Sequence, residues 1–466
     1  MKLWIQWWKM VKQLRPVCSR KRTFLWLVCC LAGITIRGDL FGVTSIVRAL
    51  GLKDFCYDRL LDLFHSSALK LEQLTEKFKS MVLKWPLVKF NGRAVVVGDG
   101  LKVSKEGRKM PAVKKLYQES ESNSKARYIY GHLCQSVAIL AGSIPNVFAV
   151  PIASRIHDGV IFSNRDKRTL LDKMVQLINS LDIGIPFYFT ADAYYATGGI
   201  IKGLLAGGNH LVTRVRSNAV AYLPAKQKKT GRKRGRPKKY GKKLKLRELL
   251  KNTDDMARVE SPVYADKKGT LIHFKTIDLL WRPVGILVRF VLVVHPARGK
   301  IILMSSDLTL SGIDIIQIYG LRFKIEVSFK QALRTLGTYA YHFWMRTMKP
   351  DRKKTGNQYL HRESKEYRKA VKRKIRAYHN YIQIGIIAQG LLQYLSLSFP
   401  RSVWNSYGSW MRTVRLDACP SEMVTAIALK NTLPYFLSDS FQTSILTKFL
   451  IKRIDFNRIE GVRMIA

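Results

Sequence analysis

The spacing of hydrophobic positions changes repeatedly along this chain of 466 residues, and each change marks a different kind of element. Up to about residue 90 the spacing is helical. The run FLWLVCCLAGITI (24–36) is too short to span a bilayer and starts too late for a signal segment, so it reads as a buried helix. GVTSIVRALGLKDFCYDRLLDLFHS (42–66) gives two amphipathic helices broken at Gly51. Such a pair is either a helix-turn-helix DNA reader or two packed helices.

From residue 92 short continuous apolar runs take over. GRAVVVGDG (92–100), LCQSVAIL (133–140), NVFAVPIA (146–153), PFYFTADAYYA (186–196) and HLVTRVR (210–216) read as strands. NRDKRTLLDKMVQLINSL (164–181) returns to helical periodicity with Asn164 as its expected N-cap. Strands alternating with helices predict an α/β fold with helices packed on a sheet. Further on, LIHFKTIDLLW (271–281) and GILVRFVLVVHP (285–296) alternate as antiparallel strands do. KIILMSSDL (300–308) then leads into a helix with Ser311 as its cap, and that helix carries Tyr319, Arg322, Glu326 and Lys330 on one face. A dense basic stretch at 352–376 is expected on a helix. YIQIGIIAQGLLQYLSL (381–397), apolar but punctuated by glutamines, is expected as a separate buried one. No internal repeat stands out.

Composition narrows the function classes. A hydrophobic fraction of 47% excludes wholesale disorder, whereas 81 Lys+Arg against 32 Asp+Glu, a net charge of +49, calls for a polyanionic partner such as DNA or RNA. An anionic membrane fits less well, because the bases are spread along the chain and not gathered on one amphipathic helix. Cys18, Cys29, Cys30, Cys56, Cys134 and Cys419 form no CxxC pair and lie mostly among apolar residues, as reduced core cysteines do. KQKKTGRKRGRPKKYGKKLK (226–245) is a solvated basic segment. Its RGRP, with Arg234 and Arg236, matches the AT-hook pattern for a narrow minor groove, and equally a general phosphate-binding loop.

Against this basic background three carboxylates stand out. Asp99 and Asp192 each end an apolar run, where a charge is costly unless compensated. Turn chemistry beside glycine accounts for either one alone. Together with Glu326 on a later helix, they also form a set of hard oxygen donors for divalent cations. Arg322–Glu326 and Glu326–Lys330 are, alternatively, an i,i+4 ladder worth only ~0.3–0.5 kcal/mol per pair.

The blocks GDGLKVSKEGRKMPAVKKLYQESESNSKARYIYGH (98–132), FTADAYYA (189–196) and SSDLTLSGIDIIQIYGLRFKIEVSFKQ (305–331) resemble those of DDE insertion-sequence transposases. The group they resemble is the cut-and-paste one with the signature Y-x2-R-x3-E-x6-K. Tyr319, Arg322 and Glu326 match its spacing. Residue 333 is Leu where the signature has Lys, with Lys330 and Arg334 the nearest bases. The resemblance implies an RNase H-like core with Asp99 and Asp192 on adjacent strands. It implies Asp99, Asp192 and Glu326 as catalytic ligands of two Mg2+ or Mn2+ ions, and Tyr319, Arg322, Lys330 and Arg334 facing DNA. It also implies double-stranded DNA partners (terminal inverted repeats and target), a homodimer when synapsed, excision through a hairpin, and a cytoplasmic, nucleoid-associated location. An aromatic residue of the insertion stacks on a flipped base in such enzymes, which makes Trp281 either that residue or a sheet-face tryptophan; His132 is expected to be structural.

The expected architecture is therefore an RNase H-like mixed sheet flanked by helices and interrupted by a β-rich insertion. An N-terminal helical DNA-binding region covers 1–90 and the first part of the core 91–216. The basic loop and β-rich insertion cover 217–304, the second part of the core 305–400, and a C-terminal helical region 401–466.

Overall fold

The computed structural model describes residues 2–40, 42–118, 126–225, 238–352, 355–408, 414–438 and 445–456. The RGRP segment, with Arg234 and Arg236, lies outside them.

At the centre of the fold is the strand Arg93–Ser104. Tyr128–Ser143 pairs antiparallel along one edge of it, and Asn146–Ile156 pairs antiparallel beyond. On the other edge Phe187–Ala191 runs parallel to it, and His210–Arg214 parallel to that. These five strands form the expected RNase H-like mixed sheet. The sheet does not stop there: Gly299–Ser305 pairs antiparallel with His210–Arg214, followed by Ile286–His295 and Leu271–Trp281. The β-rich insertion therefore continues the core sheet, and the backbone ladder crosses the boundary expected at 304.

Alternation along the central strand assigns the two faces. Val95 and Val97 join Tyr188, Val212 and Leu303 under the helices Gly312–Leu321 and Lys324–Arg334. Ala94 and Val96 face the opposite layer with Phe187 and Phe189, under the helices Leu170–Leu181, Gly198–Ala206 and Lys365–Ser398. At Gly98 the chain needs a residue without Cβ, since one would stand 2.3 Å from the Phe189 ring.

Several expected boundaries shift. The helix predicted from 164 begins at Leu170, capped by Thr169 in a reciprocal box with Asp172. Asn164 is passed over because Asp166 holds the preceding turn, accepting from the Arg168 guanidinium at 2.8 and 2.6 Å. Ser311 caps Gly312–Leu321 as expected. The basic stretch and the glutamine-punctuated stretch are one helix, Lys365–Ser398, solvated at its start and buried toward its end. Its glutamines are fasteners: Gln383 donates to Ile152 O, Gln389 to Ser328 O and Gln393 to Ala149 O, satisfying carbonyls that burial would otherwise orphan.

The N-terminal helices pack onto this layer. Lys21–Ile36 is buried from Phe24 onward, as expected. Buried Arg37 donates to Gly42 O, Leu336 O, Gly337 O, Ser45 Oγ and Tyr381 Oη, tying the first region to the chain just after the glutamate helix. Among the described residues, no single helix is long and apolar enough to cross a membrane.

Candidate active site

Asp99 and Asp192 are brought side by side by parallel register. The pairing ends at Val97↔Thr190, and each aspartate lies two residues further along the chain, Asp99 within its strand and Asp192 just past the end of its own, on the side covered by the glutamate helices. The next strand extends the row, because Ala191 pairs with Thr213 and Arg214 follows Thr213 as Asp192 follows Ala191. Backbone groups fix both aspartates. Gly100 N donates to Asp99 Oδ1 at 2.7 Å, and Asp192 Oδ1 accepts from Tyr194 N at 3.0 Å, capping a short 3-10 turn. Thr213 Oγ1 is 2.9 Å from both Ala191 O and Asp192 O and braces that strand end.

Glu326 arrives from above. The single helix expected over 318–331 is two helices, broken at Arg322–Phe323. There the bonds tighten to i−3, with Arg322 N donating to Tyr319 O and Glu326 N to Phe323 O. The bend keeps Arg322 beside Glu326 and tips it toward the sheet. Its guanidinium donates to Glu326 Oε1 at 2.7 Å and sits 3.5 Å from Asp99 Oδ2. Among the described residues the ion-pair chain thus runs across to Asp99, not along the helix to Lys330. Lys330, Leu333 and Arg334 are all on the exposed side of Lys324–Arg334.

The electrostatics couple the three carboxylates. Burial pushes the Asp99 carboxyl up to about 6, and the charges of Asp192 and Glu326 push the same way; the Gly100 amide and Arg322 oppose them. Tyr319 sits under the Arg322 guanidinium, 5.8 Å from ring centre to cation, and burial raises its phenol. A cleft of about 470 Å³ opens beside the pair, lined by Arg214, Tyr264, His295, Phe323 and apolar strand residues. Arg214 escaped the sequence reading. The signal was present, since it follows an apolar run on a strand just as the aspartates do, but only register puts it beside Asp192.

The other candidates fall away from this site. Trp281 is buried in the opposite layer, consistent with a sheet-face tryptophan. His132 is wholly buried, with its ring nitrogens 2.7 Å from Tyr341 Oη and 2.9 Å from Pro111 O. Burial and neighbouring Lys105 pull its pKa down to about 3, so it is a neutral structural group.

Carboxylates are the donor type that a hard divalent cation takes. In the present arrangement Arg322 supplies the positive charge between them, and among the described residues no three His, Cys, Asp or Glu side chains are drawn together closely enough to hold a metal.

A family model described as DDE superfamily endonuclease matches residues 13–277. That span holds Asp99 and Asp192 and ends before Glu326. No curated protein matches the chain. Among solved structures, piggyBac transposase in a synaptic complex with hairpin DNA resembles it at 12% sequence identity and a TM-score of 0.39, over 95% of this chain and 78% of that one. With a family match over more than half its length, the chain belongs to the DDE superfamily endonucleases.

Proposed function

We propose that this endonuclease is a transposase, which cleaves DNA at the ends of a mobile element and joins those ends to target DNA. The observation that carries the reading is the row Asp99–Asp192–Arg214 with Glu326 linked to it through Arg322. Family members generally use divalent metals, and Asp99, Asp192 and Glu326 are the residues that would hold two Mg2+ or Mn2+ ions here. When bound, such ions activate the attacking oxygen and stabilise the leaving oxygen of a phosphodiester.

The chain's own residues supply the rest. Arg214 and Arg322 flank the carboxylates and hold the phosphate of the scissile bond, Arg322 through its planar fork. Tyr319 fixes that fork by lying against it. Lys330 and Arg334, solvated along the same helix, follow the DNA backbone away from the cut. Two copies hold the paired terminal inverted repeats of the element, and the protein works on the nucleoid in the cytoplasm.

The test is cleavage of DNA carrying the repeats that flank the gene, with Mg2+, beside an Asp192→Asn control. Metal-dependent nicks at the repeat ends, absent in the control, together with joined products on added target DNA, establish the reading. Cleavage without joining reduces it to a nuclease, and tight binding without cleavage to an architectural DNA-binding protein.

A further inference from the structure

After the glutamate helix the chain lays an extended strap over the far end of the Asp99 strand. The strap is pinned by its backbone: Met345 N donates to Lys109 O at 2.9 Å, Asp351 N to Arg108 O at 2.8 Å, and Lys115 N to Thr355 O at 2.9 Å. Buried Lys105 donates to the Tyr339 and Tyr341 carbonyls. Between these pins burial alternates, with Tyr341, Phe343 and Met345 inward and His342, Trp344 and Arg346 outward. Trp344 is 65% exposed. One edge of its indole lies against Gly107, where a Cβ would stand 2.8 Å from Nε1. The ring is therefore seated and displayed.

The neighbouring hairpin repeats the chemistry. Tyr117 and Tyr128 pair across Lys114–Tyr117 and Tyr128–Ser143, both 46% exposed, with ring centres 5.4 Å apart. Lys115 Nζ lies 4.1 Å from the Tyr128 ring centre, and the Arg127 guanidinium 5.7 Å from that of Tyr117. Lys115 N bonded to Thr355 O joins this hairpin to the strap. Arg108, Arg127, Arg346 and Lys349 are exposed around these rings; the acids nearby among the described residues include exposed Glu106, half-buried Asp351, which accepts from Gln358, and Asp158, paired with Lys114.

We propose that the strap and hairpin form a second DNA-contact face, separate from the carboxylates, that takes an unpaired strand. Trp344 stacks on a base, Arg346 and Arg108 face the phosphates, and Tyr117 and Tyr128 continue the path. Interleaved rings and bases are how single strands are held without sequence preference, since every base has a π-face. Outward side chains on an extended backbone recur at about 7 Å, which lets rings and cations alternate along a strand. A paired duplex offers no base face to a seated indole, and the positive charge of the face disfavours a basic protein partner. The inference rests on DNA being the substrate.

The test is binding of the full-length protein to a labelled single-stranded oligonucleotide and to the matching duplex, in EDTA so that no cleavage intervenes. Trp344→Ala weakens the single strand about ten-fold and leaves the duplex almost unchanged. Trp344→Phe recovers most of the loss, and Arg346→Ala flattens the salt dependence for both. Equal weakening of both DNAs by Trp344→Ala, or no weakening of either, overturns the proposal. Because metal-dependent cleavage is measured separately, loss of this face and failure of the transposase reading give different results.

Discussion

Asp99 and Lys105 belong to one stretch of chain, and burial displaces both, yet they do opposite things. Asp99 is driven up to about 6 and Lys105 down to about 7, each first by desolvation. Lys105 is 4% exposed, its ammonium capped by two backbone carbonyls and lying 3.7 Å from the Tyr341 ring centre. All its donors face protein. Asp99 opens instead onto a face shared with Asp192 and Glu326, where Arg322 sits between carboxylates. The displaced pKa is common to a fastener and a candidate site residue, so the shift alone identifies neither. What separates them is what each group meets: carbonyls and a ring of the interior for Lys105, and two further carboxylates with a bridging arginine for Asp99.

The comparison can be broken on the carboxylate side first. Glu326→Gln keeps the size and the bond to Arg322 and removes the charge. Cleavage falls by more than ~100-fold, beyond the loss from disturbing a metal's outer shell, while DNA binding persists. Near-normal cleavage would remove Glu326 from the site. On the lysine side, Lys105→Met leaves the Tyr339 and Tyr341 carbonyls without a donor and destabilises the fold by about 1–3 kcal/mol. Its pH signature is specific. A lysine held low when folded binds less proton than the unfolded chain between about 7 and the ordinary lysine value near ~10.4, so stability rises with pH across that window. Urea titrations of the Met variant lose that slope; an unchanged slope means another group causes it.

Two milder changes sharpen the picture. Arg322→Lys preserves the charge and removes the fork that reaches both Asp99 and Glu326, and a loss of roughly ten-fold in cleavage rate is expected. Equal rates would mean that charge, not bridging, is what Arg322 contributes. Leu333→Lys places a base where the signature has one, on an exposed helical position. It steepens the dependence of log affinity on log salt by about 0.9 without changing fold stability. An unaltered slope would put that position outside the DNA path.

Much of the molecule was legible in one dimension. Continuous apolar runs marked the core strands, alternation marked those of the insertion, and Ser311 marked its cap, because these follow from local geometry and from which side chains water excludes. Asp99 and Asp192 were legible as charges where charge is costly, and Glu326 as an acid set in a basic helix. Local competition blurred the details: Thr169 caps the helix that Asn164 was expected to cap, and the glutamate helix breaks at Arg322, whose guanidinium reaches Asp99.

By itself, then, the sequence determined the kinds of element, the strong excess of positive charge and the three carboxylates that stand out against it. Tertiary structure alone decided that the insertion continues the core sheet, that Arg214 stands beside Asp192, that Arg322 joins Glu326 to Asp99, and that Trp344 faces outward. The reason is physical. Element type is set by the backbone preferences and polarity of neighbouring residues. The register between distant strands and the aim of a side chain are set by packing among residues far apart in sequence, which no local pattern contains.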